Sequence, residues 1–377
     1  MRVVFVASDN SQSSGAFRSL VTLAQLLKNE YKVAVKVILP NQGTGSKLLE
    51  KNNVDYTIIN SFDWTVELQK CHSIKSYLKW NIKKIYNRRS IKLIKQELEL
   101  YKPDLVHINT SWGYVGAIAA NELNIPVIWH IREFLEEDQF RKFWNRKKAY
   151  ALMNRSAAIV AISQAINKKY KLIFGNKIET IPNGIDDSKY YSQHKLFIRG
   201  NNLLTVGALT PGKGHELVIK ALRNLKKQGI DNFKYRIVGD GIDLHKLKEL
   251  VNKENLQNNV EFCGFSENTQ KYYQTSDIFI LSSLSEAFGR VTIEAMMNGI
   301  LVVGRNSAGT SEIINDGENG YLFNDIDELT KKLKYIFNNH DLAIQKALKG
   351  QEEALKKYTA KENANRIYKL YIKVLKK

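Results

Sequence analysis

The sequence predicts a two-domain α/β protein in which each domain is a doubly wound parallel sheet. Apolar, β-branched runs alternate with amphipathic stretches almost from end to end, a pattern typical of parallel strands covered by helices on both faces. The length of 377 residues suits two cores better than one. Pro, Asn and Gly cluster at 181–193, between two series of strands, and therefore mark the joint.

The predicted strands form two series. The first is RVVFVA, VAVKVIL, VDYTII, DLVHIN, PVIWHI and AAIVAI, and the second is LLTVG, FKYRIVG, NVEFCG, DIFILS, ILVVG and GYLF. Between them Leu20–Leu27, Leu217–Leu225 and Leu244–Val251 carry apolar residues at helical spacing. We therefore expect domains at 1–180 and 181–359, and a terminal helix at 360–377 that packs back on the first domain.

The charge is high and unevenly distributed. The net charge is +19, and residues 1–180 hold 28 basic against 15 acidic residues. Two cysteines, Cys71 and Cys263, are too few for a disulfide framework and predict free thiols in a reducing compartment. No apolar run approaches the roughly 18 residues that span a bilayer. These features predict a cytoplasmic protein.

The most basic segment is 70–102, with 10 basic and 2 acidic residues. Within it, Ile74–Tyr101 predicts a pair of helices interrupted at Arg88 and Arg89. Such a pair could lie on an anionic membrane surface, at the inner face of the cell membrane, or pack as a hairpin on its own domain. The segment carries no motif that reads a nucleic-acid groove, which argues against a specific nucleic-acid partner.

Three loops follow strands and lead into helices, where backbone N–H groups favour phosphate. They are Ser8–Gly15, the loop of VGALTPGKGHE, and the loop that ends at Gly289. The second nearly matches a P-loop. Its Gly214 stands where Ser or Thr should bind Mg²⁺, which argues against a P-loop NTPase.

Two acidic residues flank the start of the helix after the third loop. Glu286 precedes the helix, and Glu294 lies eight positions further on. One carboxylate could hold sugar hydroxyls beside a phosphate, and the other could accept from both hydroxyls of a ribose. The alternatives are a helix cap at Glu286 and a surface residue at Glu294.

A family resemblance emerges from these motifs in order. VGALTPGKG, IVGDG, NVEFCG, SEAFGRVTIEAMMNG and AGTSEIINDGENGYLF resemble the donor half of glycosyltransferase family 4. Ser14-Gly15, WHIRE, AISQA and IPNGID resemble its first half. The resemblance implies the GT-B fold, with two Rossmann-like domains facing across a cleft, and retention of anomeric configuration.

The resemblance also implies roles for individual residues. Lys213 would contact the donor diphosphate, Glu286 would hold the transferred sugar, and Glu294 would bind the ribose. Further donor contacts are implied at Gly15, Gly239, Gly264, Phe288, Gly289, Arg290 and Val291. In the first domain His130 would lie near the reacting sugar, although a strand-end histidine can also serve only to satisfy backbone groups.

Acceptor-side contacts are expected at Asn109, Arg132 and Glu133, with a structural role equally open for them. One departure from the family pattern is Ala208, where an arginine usually supplies a second cation for the leaving diphosphate. Arg290 is the candidate substitute. The only D-x-D-like string, Asp325–Asp327, follows a strand and is better explained as a helix cap, so no obligatory metal or other cofactor is expected.

The predicted function is retaining hexosyl transfer from a nucleoside-diphosphate sugar to a sugar or polyprenol-linked acceptor in bacterial surface-polysaccharide synthesis. The family favours UDP over GDP as the nucleotide. Two alternatives remain open: a non-catalytic nucleotide-sugar-binding protein, and a disaccharide phosphorylase or synthase on the same fold.

Overall fold

The computed structural model describes residues 1–192 and 201–376, which form two compact units. Unit 1 comprises Met1–Gly184 together with the chain from Ala360 onward, and unit 2 comprises Ile185–Thr359. The boundary after Gly184 lies four residues beyond the predicted one. Gln193 and Lys377, the last residues of the predicted joint and terminal helix, lie outside the described residues.

Unit 1 is built on a seven-stranded parallel sheet with the order β3-β2-β1-β5-β6-β8-β9. Strands β4 and β7 form a separate antiparallel pair. The strands are β1 (Arg2–Val6), β2 (Ala34–Leu39), β3 (Asp55–Ile58), β4 (Thr65–Glu67), β5 (Leu105–Asn109), β6 (Val127–Ile131), β7 (Arg141–Phe143), β8 (Ala158–Ala161) and β9 (Ile178–Thr180). The helices are α1 (Gly15–Tyr31), α2 (Ser46–Lys51), α3 (Ile74–Tyr101), α4 (Val115–Glu122), α5 (Arg146–Asn154) and α6 (Gln164–Phe174).

Unit 2 is built on a six-stranded parallel sheet with the order β12-β11-β10-β13-β14-β15. Its strands are β10 (Asn202–Val206), β11 (Lys234–Val238), β12 (Val260–Gly264), β13 (Ile278–Leu281), β14 (Leu301–Arg305) and β15 (Tyr321–Phe323). Its helices are α7 (Asp187–Tyr190), α8 (His215–Lys227), α9 (Leu244–Lys253), α10 (Gln270–Gln274), α11 (Arg290–Met297), α12 (Thr310–Ile313), α13 (Ile326–Asn338) and α14 (His340–Lys357).

The last helix, α15 (Ala360–Leu375), packs on α1 in unit 1. Its inner face contributes Ile367, Leu370 and Tyr371 to the core that also holds the strands of the seven-stranded sheet. Tyr368 stacks on Tyr31 of α1 with ring centroids 4.4 Å apart. The chain therefore completes the core of unit 1 with its final helix.

The strand order reverses once in each sheet, between β1 and β5 and between β10 and β13. At such a point the loops after two neighbouring strands diverge to opposite faces and leave a crevice at the carboxyl edge. Apolar side chains fill both cores, with Phe5 and Val37 in unit 1 and Tyr235 and Ile280 in unit 2 among the fully buried ones. Each core positions the carboxyl edge of its own sheet, where predicted site residues of that unit lie.

The prediction of two helices in Ile74–Tyr101 is wrong, because α3 is one continuous helix of 28 residues. Arg88 and Arg89 are neither Gly nor Pro and do not interrupt it. Its inner face continues through the small polar residues Asn87 and Ser90, which a search for apolar stripes overlooks. The Asn87 amide donates to Tyr114 Oη and to Phe62 O, each at 2.8 Å.

Among the helices that the structure describes, none combines the length and the apolar character that crossing a membrane would require.

Candidate active site

The loops after β10 and β13 meet at the reversal of strand order in unit 2. Lys213 lies in the first loop and Glu286 in the second, and Lys213 Nζ is 3.0 Å from Glu286 Oε2. Both side chains are only partly exposed. A cation and a carboxylate are thus held together at the sheet edge where parallel α/β proteins bind ligands.

Backbone contacts fix the two loops against each other. Ser282 Oγ donates to Lys213 O at 2.8 Å, and the Leu284 N–H donates to Gly212 O at 2.9 Å. Gly214 has a φ of +70°, and a Cβ at this position would lie 2.2 Å from Ser282 O. Glycine is required here both for the left-handed conformation and for the close approach. Gly214, which argues against a P-loop, thus allows the two loops to approach closely enough for Lys213 to contact Glu286.

The third loop ends at the N-terminus of α11. Gly289 is the N-cap residue with a φ of +81°, and no side chain caps the helix. Glu286 is therefore not a helix cap, and its backbone oxygen instead accepts from the Gly309 N–H at 2.9 Å. The first N–H groups of a helix have no intrahelical acceptors, so the turn at Arg290 and Val291 presents the donors and dipole that phosphate favours.

Glu294 is buried and is not a surface residue. Its Oε2 accepts from Tyr273 Oη at 3.1 Å, and its Oε1 lies 3.6 Å from an Arg290 guanidinium nitrogen. Burial and the Glu294 charge raise the pKa of Tyr273 well above its ordinary value, so the phenol remains a donor. Tyr273 was not predicted from the sequence, because a helical tyrosine 21 positions away gives no local signal of this contact.

Two glycine turns pack beside the loop after β10. Gly239 has a φ of +153°, and a Cβ there would lie 1.8 Å from Gly207 O. Its N–H donates to Gly264 O at 2.9 Å. Gly264 has a φ of +69° and open space where a Cβ would stand. The two turns thus bring bare backbone next to the loop that carries Lys213. Phe288, which directly precedes Gly289 in the third loop, is buried against Tyr358.

The position at which the family pattern has an arginine carries the uncharged side chain of Ala208. The Ala208 carbonyl oxygen pairs with His215 Nε2 at 3.0 Å, which ties the loop to the first residue of α8. Arg290, the candidate substitute, lies beside Glu294 with its side chain largely covered. Arg290 is the first residue of α11, and its guanidinium reaches Glu294 one turn further along the helix.

In unit 1 the loop after β1 contains an acidic residue that the sequence analysis missed. Asp9 Oδ2 accepts from Ser14 Oγ at 3.1 Å, and Asp9 Oδ1 accepts from the Ser11 N–H at 3.2 Å. Burial raises the pKa of Asp9 above its ordinary value. Ser14 also caps α1 by accepting from the Phe17 N–H. Asp9 therefore orders the loop that delivers Gly15 to the helix start.

His130, at the end of β6, is fully buried and belongs to a chain of three side chains. His130 Nδ1 is 3.1 Å from His107 Nε2, and His107 Nδ1 is 2.6 Å from Tyr371 Oη of α15. His130 Nε2 is buried and finds no hydrogen-bond partner within residues 1–192 and 201–376. Burial, with the Arg132 charge, lowers the pKa of both histidines well below the ordinary value, so both rings are neutral near pH 7.

The three predicted acceptor-side residues lie together at the ends of β5 and β6 and are largely buried. Arg132 Nε donates to Asn109 Oδ1 at 2.6 Å, and another of its nitrogens donates to Asn183 Oδ1. Glu133 accepts from the Ser111 N–H at 2.8 Å and from the Arg132 N–H at 3.1 Å. These bonds hold the strand ends in place, and contact with an acceptor stays a prediction.

Burial raises the pKa of Glu133 to about 7, although its hydrogen bonds with Ser111 and Arg132 act in the opposite direction.

The D-x-D-like string is a helix cap, since Asp325 Oδ1 accepts from the Glu328 N–H at 2.8 Å at the start of α13. Within the described ranges, no three His, Cys, Asp or Glu side chains are grouped as a metal site would require.

Comparison with known proteins gives two family matches that together span most of the chain. Residues 13–189 match the model described as Glycosyltransferase Family 4, and residues 188–361 match Glycosyl transferases group 1. The alpha-monoglucosyldiacylglycerol synthase of Acholeplasma laidlawii is 24% identical, with 97% of this chain and 94% of the relative covered.

A second relative acts on a named lipid-linked acceptor. It is the GalNAc-alpha-(1->4)-GalNAc-alpha-(1->3)-diNAcBac-PP-undecaprenol alpha-1,4-N-acetyl-D-galactosaminyltransferase of Campylobacter jejuni, 26% identical with 90% of each chain covered. Among solved structures, Anabaena HepE in complex with UDP matches with a TM-score of 0.80 and 20% identity, covering 98% of this chain and 99% of that one. This likeness shows the fold, which is of the GT-B class.

Proposed function

Because the chain belongs to the glycosyltransferases, with a family 4 first half and a group 1 second half, we propose that it transfers a sugar from a UDP-sugar to a sugar or lipid-linked acceptor with retention of configuration. The acceptor is proposed to belong to bacterial surface-polysaccharide synthesis. UDP is favoured as the nucleotide by the HepE complex with UDP, a protein of the same fold.

The observation that carries the proposal is the Lys213–Glu286 pair beside the N-terminus of α11. Lys213 and the helix-end N–H groups would neutralise a diphosphate. Glu286 would accept from hydroxyls of the transferred sugar. Glu294, eight positions along, would accept from the ribose on the other side of the phosphates. A nucleotide sugar has the matching order of groups: the hydroxyls of the sugar, then the charged diphosphate, then the hydroxyls of the ribose.

The chemistry follows from the leaving group. The bond between C1 of the sugar and the β-phosphate oxygen breaks, and its electron pair stays on the phosphate. The acceptor hydroxyl oxygen bonds to C1 on the same face, and its proton passes to that phosphate oxygen. Charge therefore develops on the diphosphate as the bond breaks, and Lys213 with the α11 donors stabilises it.

We infer a defined tautomer for His130. If Tyr371 accepted a hydrogen bond from His107, its own buried O–H would lack an acceptor among the described residues, at a cost of about 1–3 kcal/mol. Tyr371 therefore donates to His107 Nδ1. His107 Nε2–H in turn donates to His130 Nδ1, which leaves His130 Nε2 protonated. His130 would then donate to an oxygen of the transferred sugar.

We propose that the enzyme is cytoplasmic and works at the inner face of the membrane. Three observations support this: the Campylobacter relative is named for an undecaprenol-linked acceptor, the Acholeplasma relative is named for a diacylglycerol glycolipid, and Cys71 and Cys263 are free thiols. We also propose that no metal is obligatory, because Lys213 and the helix end supply the positive charge that the diphosphate needs.

A thermal-shift panel of UDP, GDP and their sugars tests the proposal. A bound UDP-sugar at about 100 times its Kd stabilises the folded state by about 2.7 kcal/mol, so UDP-sugars should raise Tm and GDP-sugars should not. A flat response to every nucleotide sugar would refute the donor assignment. Stabilisation without release of UDP would favour a binding protein, and phosphate-dependent release of sugar from a disaccharide would favour a phosphorylase.

A further inference from the structure

The first half of α3 turns an apolar row to solvent. Ile74, Leu78, Ile82 and Ile85 recur at helical spacing, and their exposed fractions are 78%, 57%, 55% and 66%. The residues on the opposite side of the helix, among them Asn87 and Ile94, are buried against unit 1. We call the row of Ile74, Leu78, Ile82 and Ile85 the α3 outer face. Four large aliphatic side chains on one exposed line are costly in water and indicate a covered surface.

Cations flank the α3 outer face on both sides. Residues 74–95 contain eight Lys and Arg and no acidic residue. Lys83 and Lys95 pair with carboxylates of other elements, Asp63 and Glu122. The remaining six have no carboxylate within 4.0 Å in the part of the chain that the structure describes; they are Lys75, Lys79, Lys84, Arg88, Arg89 and Lys92. The charge along this helix is therefore not neutralised within unit 1.

Aromatic rings lie at the border between the apolar row and the protein. Trp80 stacks on Trp144 with centroids 6.0 Å apart, and Tyr77 meets the same ring edge-on at 6.3 Å. Two further exposed cations, Lys147 and Lys148, follow Trp144 at the start of α5. Indole and phenol rings favour the level between acyl chains and water, because they are apolar in body and polar at one end.

We propose that the α3 outer face docks onto an anionic phospholipid membrane, with Ile74, Leu78, Ile82 and Ile85 in the acyl boundary and the flanking lysines and arginines at the head groups. The inference deepens the proposed function, since it names the surface through which the enzyme would reach a lipid-linked acceptor. An amphipathic helix that lies in an interface buries its apolar face about 5–10 Å deep, and cations on its flanks bind anionic lipid.

Charge complementarity favours a membrane over the other occupants. A nucleic acid would engage the cations but would leave the four aliphatic side chains in water. A second copy of the chain would cover the aliphatic row, but a symmetric contact places each basic flank against another basic flank. An anionic bilayer is apolar inside and negatively charged at its surface, and so matches both features.

Vesicle flotation with the full chain tests the proposal. We expect binding to vesicles of phosphatidylcholine mixed with phosphatidylglycerol, weak binding to phosphatidylcholine alone, and release as salt shortens the Debye length to below about 8 Å. Replacing Leu78, Ile82 and Ile85 with serine should abolish stable binding to the mixed vesicles. Replacing Lys75, Lys79 and Lys84 with glutamine should weaken it roughly a hundredfold, at about fivefold per charge.

Matched controls separate this surface from general charge and apolarity. Ile242→Ser and Lys248→Gln change equally exposed positions of unit 2 and should leave flotation unchanged. All variants should keep the Tm increase caused by UDP, which shows that they fold and that the donor site is intact. If UDP did not raise the Tm of the wild type, the proposed function would be refuted, but the docking surface would not.

Three results would overturn the docking proposal. One is equal flotation of the serine variant and the wild type. Another is binding to neutral vesicles as strong as binding to anionic ones. The third is concentration-dependent association without lipid that the serine variant loses, since it would assign the α3 outer face to a second copy.

Discussion

The Lys213 ammonium lies 3.0 Å from the Glu286 carboxylate, where the strand order of unit 2 reverses. The two residues are 73 positions apart in the chain and are joined by loops whose backbones bond to each other. Each partner holds the other in place before any ligand arrives. Under the proposed function, a diphosphate would meet a lysine that is already oriented, and a sugar would meet an oriented carboxylate.

Lys213→Ala should slow UDP release by a factor on the order of 10²–10³, because it removes a preorganised donor from the developing phosphate charge. The initial rate of UDP release at saturating donor measures the effect. Lys220→Ala is the matched control, since Lys220 pairs with Glu216 on α8 at 2.7 Å, away from the reversal point. A Lys213→Ala rate within about twofold of the wild type would be incompatible with the phosphate role.

Glu294→Gln should weaken UDP binding about tenfold or more while leaving inorganic pyrophosphate binding unchanged, because only the nucleotide brings a ribose to the carboxylate. A hydrogen bond to a charged group contributes about 1.5–3 kcal/mol. Calorimetric titration of both ligands measures the difference. Tyr273→Phe removes the phenol that donates to Glu294 but no proposed ribose contact, and should affect UDP less. Equal losses for UDP and pyrophosphate would contradict the ribose assignment.

Tyr371→Phe should allow His130 to populate both tautomers. The aromatic ring still fills the core, since only the hydroxyl that donates to His107 is lost. Long-range ¹⁵N correlation spectra of the imidazoles should show one His130 tautomer in the wild type and a mixture in the variant. We expect kcat to fall about tenfold with a smaller change in KM. Tyr368→Phe, on the same helix and stacked on Tyr31, is the control. An unchanged His130 spectrum would reject the tautomer chain.

Glu133→Gln should change how stability depends on pH. The folded state raises the pKa of Glu133 from 4.5 to about 7, so between these values the unfolded chain is ionised while the buried carboxyl keeps its proton. Stability therefore falls as pH rises through this window, by up to about 3 kcal/mol. The variant has no proton to lose and should gain stability relative to the wild type from pH 4.5 to 7. Urea unfolding at several pH values measures this difference. If the free energies of unfolding of the variant and the wild type changed equally with pH across that range, the effect of burial on Glu133 would be contradicted.

Chelation should leave activity unchanged if Lys213 and the α11 N-terminus alone neutralise the diphosphate. UDP release should be the same in excess EDTA and in added Mg²⁺ or Mn²⁺ after dialysis. An activity that EDTA abolishes and one of these ions restores would show that the enzyme needs a metal for catalysis.

The strands could be predicted from the sequence because parallel strands buried on both faces form continuous β-branched runs. The same runs located the site residues of unit 2. Lys213 follows the run of β10, and Glu286 and Glu294 follow the run of β13. The short strands β4, β7 and β9 were not predicted, because their three residues (TVE, RKF and IET) mix charged with apolar side chains and form no apolar run. The division of α3 was wrong because its two predicted apolar stripes lie on different sides of one helix. The stripe from Ile74 to Ile85 is exposed, and the stripe that includes Ile94 and Leu98 is buried.

Contacts between residues far apart in the chain could not be predicted from the sequence. Tyr371 reaches His107 over 264 positions, and nothing local distinguishes it from other tyrosines of α15. Asp9 was within reach of the sequence analysis, because an Asp just after a strand and before a Ser cap is a common loop-ordering residue. The burial of Asn109, Arg132 and Glu133 depends on how the ends of β5 and β6 pack, which a pattern of residue types does not encode.

We propose that Glu286 holds the sugar whose bond is broken. The most direct measurement is UDP release and product formation by Glu286→Ala, with the UDP-sugar that stabilises the wild type as donor. Turnover should fall to the background rate while the Tm without ligand stays close to that of the wild type. Turnover equal to that of the wild type would contradict the assignment of this site.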